Sequence, residues 1–553
     1  MNTPVFRNEL AETIFHQKYS HGGTHSWYSL AETIVDDVCG TSGGTKDMLL
    51  NKSEREYIVK LIKEFKFIPG GRYLYYAGRP VKYFNNCYLL RVEEDTREEW
   101  SHYTWRAMSC LMTGGGIGGD YSVIRPRWSI LSRTGGEASG PIPLMQAIDE
   151  IGGKVMQGGS RRSAIYASLN WRHDDINEFL RIKNWDDMHI GPLTYGDLKK
   201  TDFNFKAPLD MTNISVNYDN AWLEKEQREL DPIFLENCKQ AMKTGEPGFS
   251  FNFGDKENET LRNACNEVTS EDDSDVCNLG SINLGNIETL DEFRSVVQAA
   301  SKFLVCGTLR ADLPYYKVQV VREANRRLGL GLMGIHEWLL KRNYQYEVTP
   351  ELHSWLRAYE NESESAANTL CDALGISRPK AYRAIAPTGS IGILAGTTTG
   401  IEPLFAVAYK RRYLKGTTWK YQYVVDGVAQ YLIHELGINP DKIETSKDLS
   451  NDYERRIKFQ ADVQDYVDMS ISSTINLPTW GQGGNSEENV RKFAETLSRY
   501  APRLRGFTCY PDGSRGGQPL TTIDYNDAMK HKGVIFEELD ICEVSGKGGS
   551  CGS

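Results

Sequence analysis

Apolar residues in the stretch REYIVKLIKEF (55–65) recur at helical spacing, with Tyr57, Ile58, Leu61 and Ile62 on one face. Ser53 with Glu56 predicts a capping box at the start of that helix, and residues 1–84 are expected to form a small helical N-terminal region. From 85 to 525 the pattern changes: short β-branched or apolar runs (YSVI, SAIYASL, NISVN, YRAIA, GFTCY) alternate with helical stretches. One of these, SEENVRKFAETLSRY, is expected to be capped by Ser486 and to carry Val490, Phe493 and Leu497 on one face. Strand and helix in alternation predict a parallel α/β architecture. Beyond 526 apolar content thins, and the closing GKGGSCGS has linker composition, so a flexible C-terminal tail is expected over 526–553. No internal repeat is visible.

Composition narrows the class. The chain has 553 residues, 40% hydrophobic and 25% charged, an ordinary balance for a globular protein with a large core. No run approaches the roughly 18 apolar residues of a membrane span, and MNTPVFRNELAETIF lacks the apolar core of a signal peptide. A cytoplasmic location is expected. A net charge of −10 argues against DNA or RNA binding but leaves a small anionic ligand open. The eleven cysteines are odd in number, scattered and without a C-x-x-C pair, which speaks against both a disulfide framework and a zinc ribbon. No metal site is expected. Cys110 and Cys306 lie among apolar neighbours, as inert core thiols do. Cys87, Cys265, Cys542 and Cys551 do not, and Cys277 is ambiguous.

In NACNE, Asn263, Cys265 and Glu267 would share one face if the segment is extended. The same five residues also fit a polar loop with a free cysteine. Three glycine-rich stretches could hold phosphates. TGGGIGGD contains G-x-G-x-x-G at Gly114, Gly116 and Gly119, which opens a nicotinamide-dependent dehydrogenase as an alternative, yet the preceding SHYTWRAMSCLM reads as a helix where that fingerprint needs a strand. QGGSRRS sets Arg161 and Arg162 beside glycines. YRAIAPTGSIGILAG reads as a strand, a turn at 387–390 and a helix start, where backbone N–H groups and two hydroxyls make an anion cradle. No P-loop lysine follows it. DMHIGP has Pro192 where the D-x-H-x-x-G pattern of cobalamin-ligand histidines needs glycine, so His189 reads as an ordinary residue. A non-catalytic nucleotide-binding regulator is the third reading, favoured only if Cys265 is dispensable.

NNCYLL, TGGGIGGDYSVIRP, QGGSRRSA, NISVN, NACNE, DVCNLGSINLGNI, RRLGLGLMGIHEWL, APTGSIGILAGTTTGIEPLF and GFTCYPDGSRGGQPLT occur in this order. The set resembles the catalytic chain of a ribonucleotide reductase from about residue 65 onward. That resemblance implies a ten-stranded α/β barrel around a finger loop, spanning 85–525, and reduction of ribonucleotides to 2′-deoxyribonucleotides for DNA precursor synthesis. It implies that Cys265 becomes a thiyl radical and abstracts the ribose 3′ hydrogen, that Glu267 takes the 3′-hydroxyl proton, and that Asn263 hydrogen-bonds the substrate hydroxyls. Cys87 and Cys277 match the reducing pair. Thr388, Gly389, Ser390 and Ile391 match the substrate-phosphate turn; Asn86, Gly115 and Gly116 fall near the finger; Gln157, Arg161 and Arg162 fall in the loop that reads a dNTP or ATP effector. Cys542 and Cys551 match a tail dithiol re-reduced by a thioredoxin or glutaredoxin-type protein, although their spacing is wider than the usual pairs. The implied partners are a ribonucleoside di- or triphosphate and a second copy of the chain in a homodimer, with no nucleic acid and no membrane.

The radical source divides the family. One branch uses adenosylcobalamin; the other draws the radical from a ferritin-like, metal-containing subunit through two adjacent tyrosines. Here Cys509-Tyr510 stands where that pair falls, and the Y-x-D-G-S-R ending resembles the adenosylcobalamin branch. Adenosylcobalamin is therefore the expected cofactor, with Tyr510 as a relay residue only in the alternative.

Overall fold

The computed structural model describes residues 5–40, 49–155, 164–202, 205–415, 418–514, 520–531 and 534–537. The chain opens with helices Glu9–Lys18, Trp27–Cys39 and Lys52–Lys63. The capping box of the third lies two residues earlier than expected. Asn51 accepts from the Glu54 N–H at 2.9 Å, and the Glu54 carboxylate accepts from the Asn51 N–H at 3.1 Å. Ile58, Leu61 and Ile62 are buried as their spacing requires, and Tyr57 is half-buried. Trp27 stacks on Phe65 with centroids 4.7 Å apart, worth about 1 kcal/mol beyond the area buried. The first 84 residues are not helical throughout, because Phe67–Pro69 (β1) joins the main sheet, Phe67 opposite Ile282.

The barrel strands are β2 (Cys87–Arg91), β3 (Gly116–Asp120), β4 (Ile165–Asn170), β5 (Thr212–Tyr218), β6 (Gly248–Phe251), β7 (Asp275–Asn283), β8 (Leu328–Met333), β9 (Thr474–Leu477) and β10 (Gly506–Pro511). β2 to β6 run parallel in that order. β10 turns antiparallel against β6 and runs parallel to β9. The ring continues through single parallel bridges, Ile385 with Ile471 and Arg383 with Leu330, to β8 and then β7. β7 closes it antiparallel to β2. Two five-member parallel halves therefore meet head to tail, and YRAIA closes the ring without forming a regular strand. β7 and β8 are buried along their whole length, as strands covered on both faces must be.

Two expected elements moved. YSVI is a turn, and the strand is the glycine run before it. The helix expected to start at Ser486 begins at Val490 after a short 3-10 turn, and Ser486 makes no capping bond to a backbone N–H. The tail is anchored further than composition suggests. Tyr525–Lys530 is a helix, and Ile535–Glu537 pairs with Thr418–Val425 in a four-stranded antiparallel sheet. Phe536 stacks on Tyr421 at 5.0 Å there, which explains why the apolar run VIF ends up ordered. Among the described residues no helix is long and apolar enough to cross a membrane.

Candidate active site

The finger loop rises between β6 and β7. Its root is a two-rung ladder, Leu261–Arg262 against Thr269–Ser270. Arg262 is fully buried and donates to Asn252 Oδ1 at 2.7 Å; burial, then Arg505, pulls its guanidinium down to about 9. Glu259 accepts from Arg505 at 2.9 Å and from Thr269 Oγ1 at 2.8 Å. Burial alone would raise that carboxyl, but Arg505 and Arg327 hold it down to about 2. Two glycines let the loop inside the barrel. A Cβ on Gly118 of β3 would lie 1.7 Å from the Arg262 carbonyl oxygen, and one on Gly506 of β10 would lie 2.2 Å from Asn266 Nδ2. The G-x-G-x-x-G stretch thus follows a helix (Arg97–Met112), runs into a strand and seats the finger, which removes the nicotinamide reading.

The loop tip is not extended. Asn266 sits at φ 69°, its N–H donates to the Asn263 carbonyl at 2.9 Å, and Asn263 Oδ1 accepts from the Val268 N–H at 2.9 Å. The shared face expected for Asn263, Cys265 and Glu267 is instead produced by a tight turn closed by Asn263. Both barrel halves hold it: Asn213 of β5 donates to the Ala264 carbonyl at 2.8 Å, and the Ser470 N–H to the Glu267 carbonyl at 2.8 Å. Glu267 is 1% exposed, whereas Cys265 is half-buried.

Cys87 and Cys277 stand directly opposite each other on β2 and β7. Both are buried free thiols. Directly opposed residues have Cβ atoms about 4.5–5.5 Å apart, within about 1 Å of disulfide geometry. Burial, then the Glu267 charge, pushes the Cys87 thiol well up; burial, then Asp275 and Glu267, does the same for Cys277. Both are therefore held protonated at neutral pH. Asn263 Nδ2 lies 3.1 Å from Cys87 Sγ and ties finger to dithiol.

One cleft of about 140 Å³ joins these parts. Asn263, Cys265, Glu267, Cys87, Asn86 and Gly116 line one side, and Thr388, Gly389, Ser390 and Ile391 the other. Cys277 lies behind Cys87, and Gly115 packs on Tyr88, where a Cβ would meet the ring at 2.4 Å. Thr388 is β-branched yet sits at φ 49°, a strained left-handed conformation. Its Oγ1 accepts from the Gly400 N–H at 2.8 Å, and no side chain crowds Gly389. Tyr19 and Arg72 also line the cleft and were not anticipated. Arg72 packs over Tyr76 at 4.7 Å with its Nε on the Tyr83 carbonyl at 3.2 Å.

The expected relay position divides. Along β10, Gly506 faces the finger, so Thr508 and Tyr510 face inward by alternation, while Cys509 donates outward to the Ala241 carbonyl at 3.3 Å. Burial pushes that thiol to about 12. Cys509 cannot stand in for a second inward tyrosine. His189 lies on an exposed two-residue strand. Gln157, Arg161, Arg162, Cys542 and Cys551 lie outside the described residues. Among the described residues, no group of three or more histidines, cysteines and carboxylates is placed to hold a metal ion.

A family model described as the ribonucleotide reductase barrel domain matches residues 85–355 and 375–504. A vitamin B12-dependent ribonucleoside-diphosphate reductase of Thermoplasma acidophilum is 27% identical over 88% of this chain and 68% of its own. A putative adenosylcobalamin-dependent ribonucleoside-triphosphate reductase of Mycobacterium phage D29 is 23% identical over 93% of this chain and 94% of its own. The solved alpha subunit of the class Id ribonucleotide reductase of Actinobacillus ureae shares the fold, with a TM-score of 0.69 at 16% identity over 92% of this chain and 99% of that one.

Proposed function

The chain belongs to the ribonucleotide reductase family, and on that premise we propose that it reduces ribonucleotides to 2′-deoxyribonucleotides at Cys265, with adenosylcobalamin as its cofactor. The observation that carries this reading is one cleft lined by a half-buried finger cysteine, by Cys87 with Cys277 directly opposite it on the next strand, and by an open glycine turn.

Cys265 takes the 3′ hydrogen atom of the ribose as a thiyl radical. Glu267, buried beside it, accepts the 3′-hydroxyl proton. Asn263 Nδ2 carries two N–H groups; one serves Cys87 and the second reaches a substrate hydroxyl. Cys87, held as a neutral thiol, gives its proton to the departing 2′-hydroxyl. The C2′–O bond breaks and water leaves; the second thiol hydrogen of the pair passes to C2′ and makes the new C–H bond. An S–S bond forms between the Cys87 and Cys277 sulfurs, and their remaining electron returns to the 3′ carbonyl together with the proton held by Glu267. Cys265 then returns the hydrogen atom to C3′. The N–H groups of Gly389, Ser390 and Ile391 receive the substrate phosphates. Gln157, Arg161 and Arg162 keep their effector-loop assignment on the resemblance alone.

The residues beside Cys265 fit the cofactor. The adjoining wall is Gly116, Ala164 and Ala264, none larger than a methyl group, whereas the space over Gly114 is taken by the Arg72 guanidinium. These three would hold a broad flat group against the sulfur. What adenosylcobalamin supplies when bound is homolytic one-electron chemistry at that sulfur. The names of the relatives and the outward Cys509 support this source over a radical-donating subunit. The test is deoxynucleotide formation with adenosylcobalamin, an effector nucleotide and dithiothreitol as the only additions. Wild type is expected to turn over, and Cys265→Ser to bind nucleotide yet form no product, because an alcohol O–H bond resists radical formation far more than S–H. Retained turnover in that variant overturns the assignment.

A further inference from the structure

Arg7, far from the cleft in sequence, grips the back of the turn that faces it. Its guanidinium donates to Glu337 Oε1 at 2.8 Å, to the Gly396 carbonyl at 3.0 Å and to Asn286 Oδ1 at 2.6 Å, and it lies over the Tyr431 ring at 4.5 Å. Gly396 ends the helix Gly389–Ala395 that begins at the turn, and a Cβ there would lie 2.9 Å from Arg7 Cβ. Glu337 is fully buried and also takes Thr397 Oγ1 at 2.5 Å and Lys341 Nζ at 2.9 Å. The next residue, Thr398, accepts from the Gly334 N–H at 2.8 Å, and Gly400 then reaches back to Thr388 Oγ1 at 2.8 Å. An unbroken path of hydrogen bonds and backbone thus runs from Arg7 to the strained residue that shapes the turn. The segment bearing Arg7 is itself pinned: Phe6 packs on Phe15 at 5.3 Å and on Phe65 at 5.8 Å, Asn8 caps Glu9–Lys18, and Tyr19 at the end of that helix lines the cleft.

We propose that Arg7 is a positioning residue for the substrate phosphates: by clamping Gly396 and, through Glu337, Thr397, it holds the 396–400 loop that fixes Thr388 and so aims the Gly389–Ile391 N–H groups. The proposal rests on the phosphate-turn reading above. The guanidinium reaches the three acceptors from two nitrogens held in one rigid plane, whereas a lysine carries its three N–H groups on a single nitrogen and cannot keep that spread. A merely structural anchor would lower stability without distinguishing one ligand from another.

The test compares equilibrium binding of cytidine 5′-diphosphate with binding of cytidine, in wild type, Arg7→Ala and Arg7→Lys, alongside thermal melting. Wild type is expected to prefer the diphosphate strongly. Arg7→Ala is expected to cut that preference about tenfold with cytidine binding unchanged, and to raise KM for nucleotide by a similar factor while kcat moves less than twofold. Arg7→Lys keeps the charge opposite buried Glu337, so it preserves folding if the alanine variant does not, and is expected to lose the preference severalfold. A preference unchanged in the lysine variant, or in a folded alanine variant whatever its melting temperature, overturns the proposal. Absence of any diphosphate preference in wild type, or full retention of it in Ser390→Asp, sinks the phosphate-turn reading itself and the proposal with it.

Discussion

Asn263 does two jobs with one amide: its oxygen closes the finger tip on Val268, and its nitrogen reaches Cys87. That economy explains why Asn263, Cys265 and Glu267 line one cleft without the extended segment their spacing suggested. Residue types and spacing in NACNE pointed to one face, but the face is made by left-handed Asn266 and not by an extended strand. Cys87 and Cys277 were legible only through the order of motifs, since no spacing within one segment shows that two strands 190 residues apart in sequence align. Arg72 and Tyr19 were not legible, because their place in the cleft depends on how the N-terminal helices dock. Glu267 gives the clearest prediction at this scale. Glu267→Gln keeps the shape and removes the base, so kcat should fall by about 10²- to 10⁴-fold with nucleotide affinity within a few-fold of wild type. Steady-state kinetics with kcat near wild type would contradict the general-base role.

At the scale of elements the finger root decides stability. Glu259 joins Arg505, which leads into β10, to Arg327, which leads into β8, and to Thr269 on the finger. Its folded value lies near 2 against an ordinary 4.5. A depressed carboxylate contributes stability that is present above 4.5 and lost as pH falls toward 2, here about 3 kcal/mol for a shift of this size. Urea midpoints should fall steeply between pH 4.5 and 2.5 in wild type and less steeply in Glu259→Gln, which should also be weaker at neutral pH because buried Arg505 loses its carboxylate while Arg327 keeps Asp275. Parallel pH profiles for the two proteins would remove this role. The alternation of strands and helices was legible in the sequence, but β3 was not. Its glycines have poor strand propensity; Gly118 leaves room for the Arg262 carbonyl and Gly119 for the Tyr103 hydroxyl.

For the whole molecule, the pattern of elements gave the α/β class but not the head-to-tail joint of two parallel halves, which depends on pairings between β6 and β10 and between β2 and β7. The joint matters because it sets Cys87 at the start of one half beside the turn that ends a segment of the other. A disulfide formed there is buried, so repeated turnover requires a thiol that can reach it by exchange. Replacing Cys542 and Cys551 with serine is expected to allow one turnover from pre-reduced protein and to abolish multiple turnovers with a thioredoxin-type reductant; an unchanged steady-state rate would exclude them as the shuttle. The central claim is that the cofactor acts directly on Cys265. Its most direct test is tritium exchange from the 5′ position of adenosylcobalamin into water, measured on the isolated chain with an effector nucleotide and a reductant. Exchange in wild type and none in Cys265→Ser is the predicted result. No exchange in wild type, with activity appearing only when a metal-containing partner protein is added and lost in Tyr510→Phe, would contradict it.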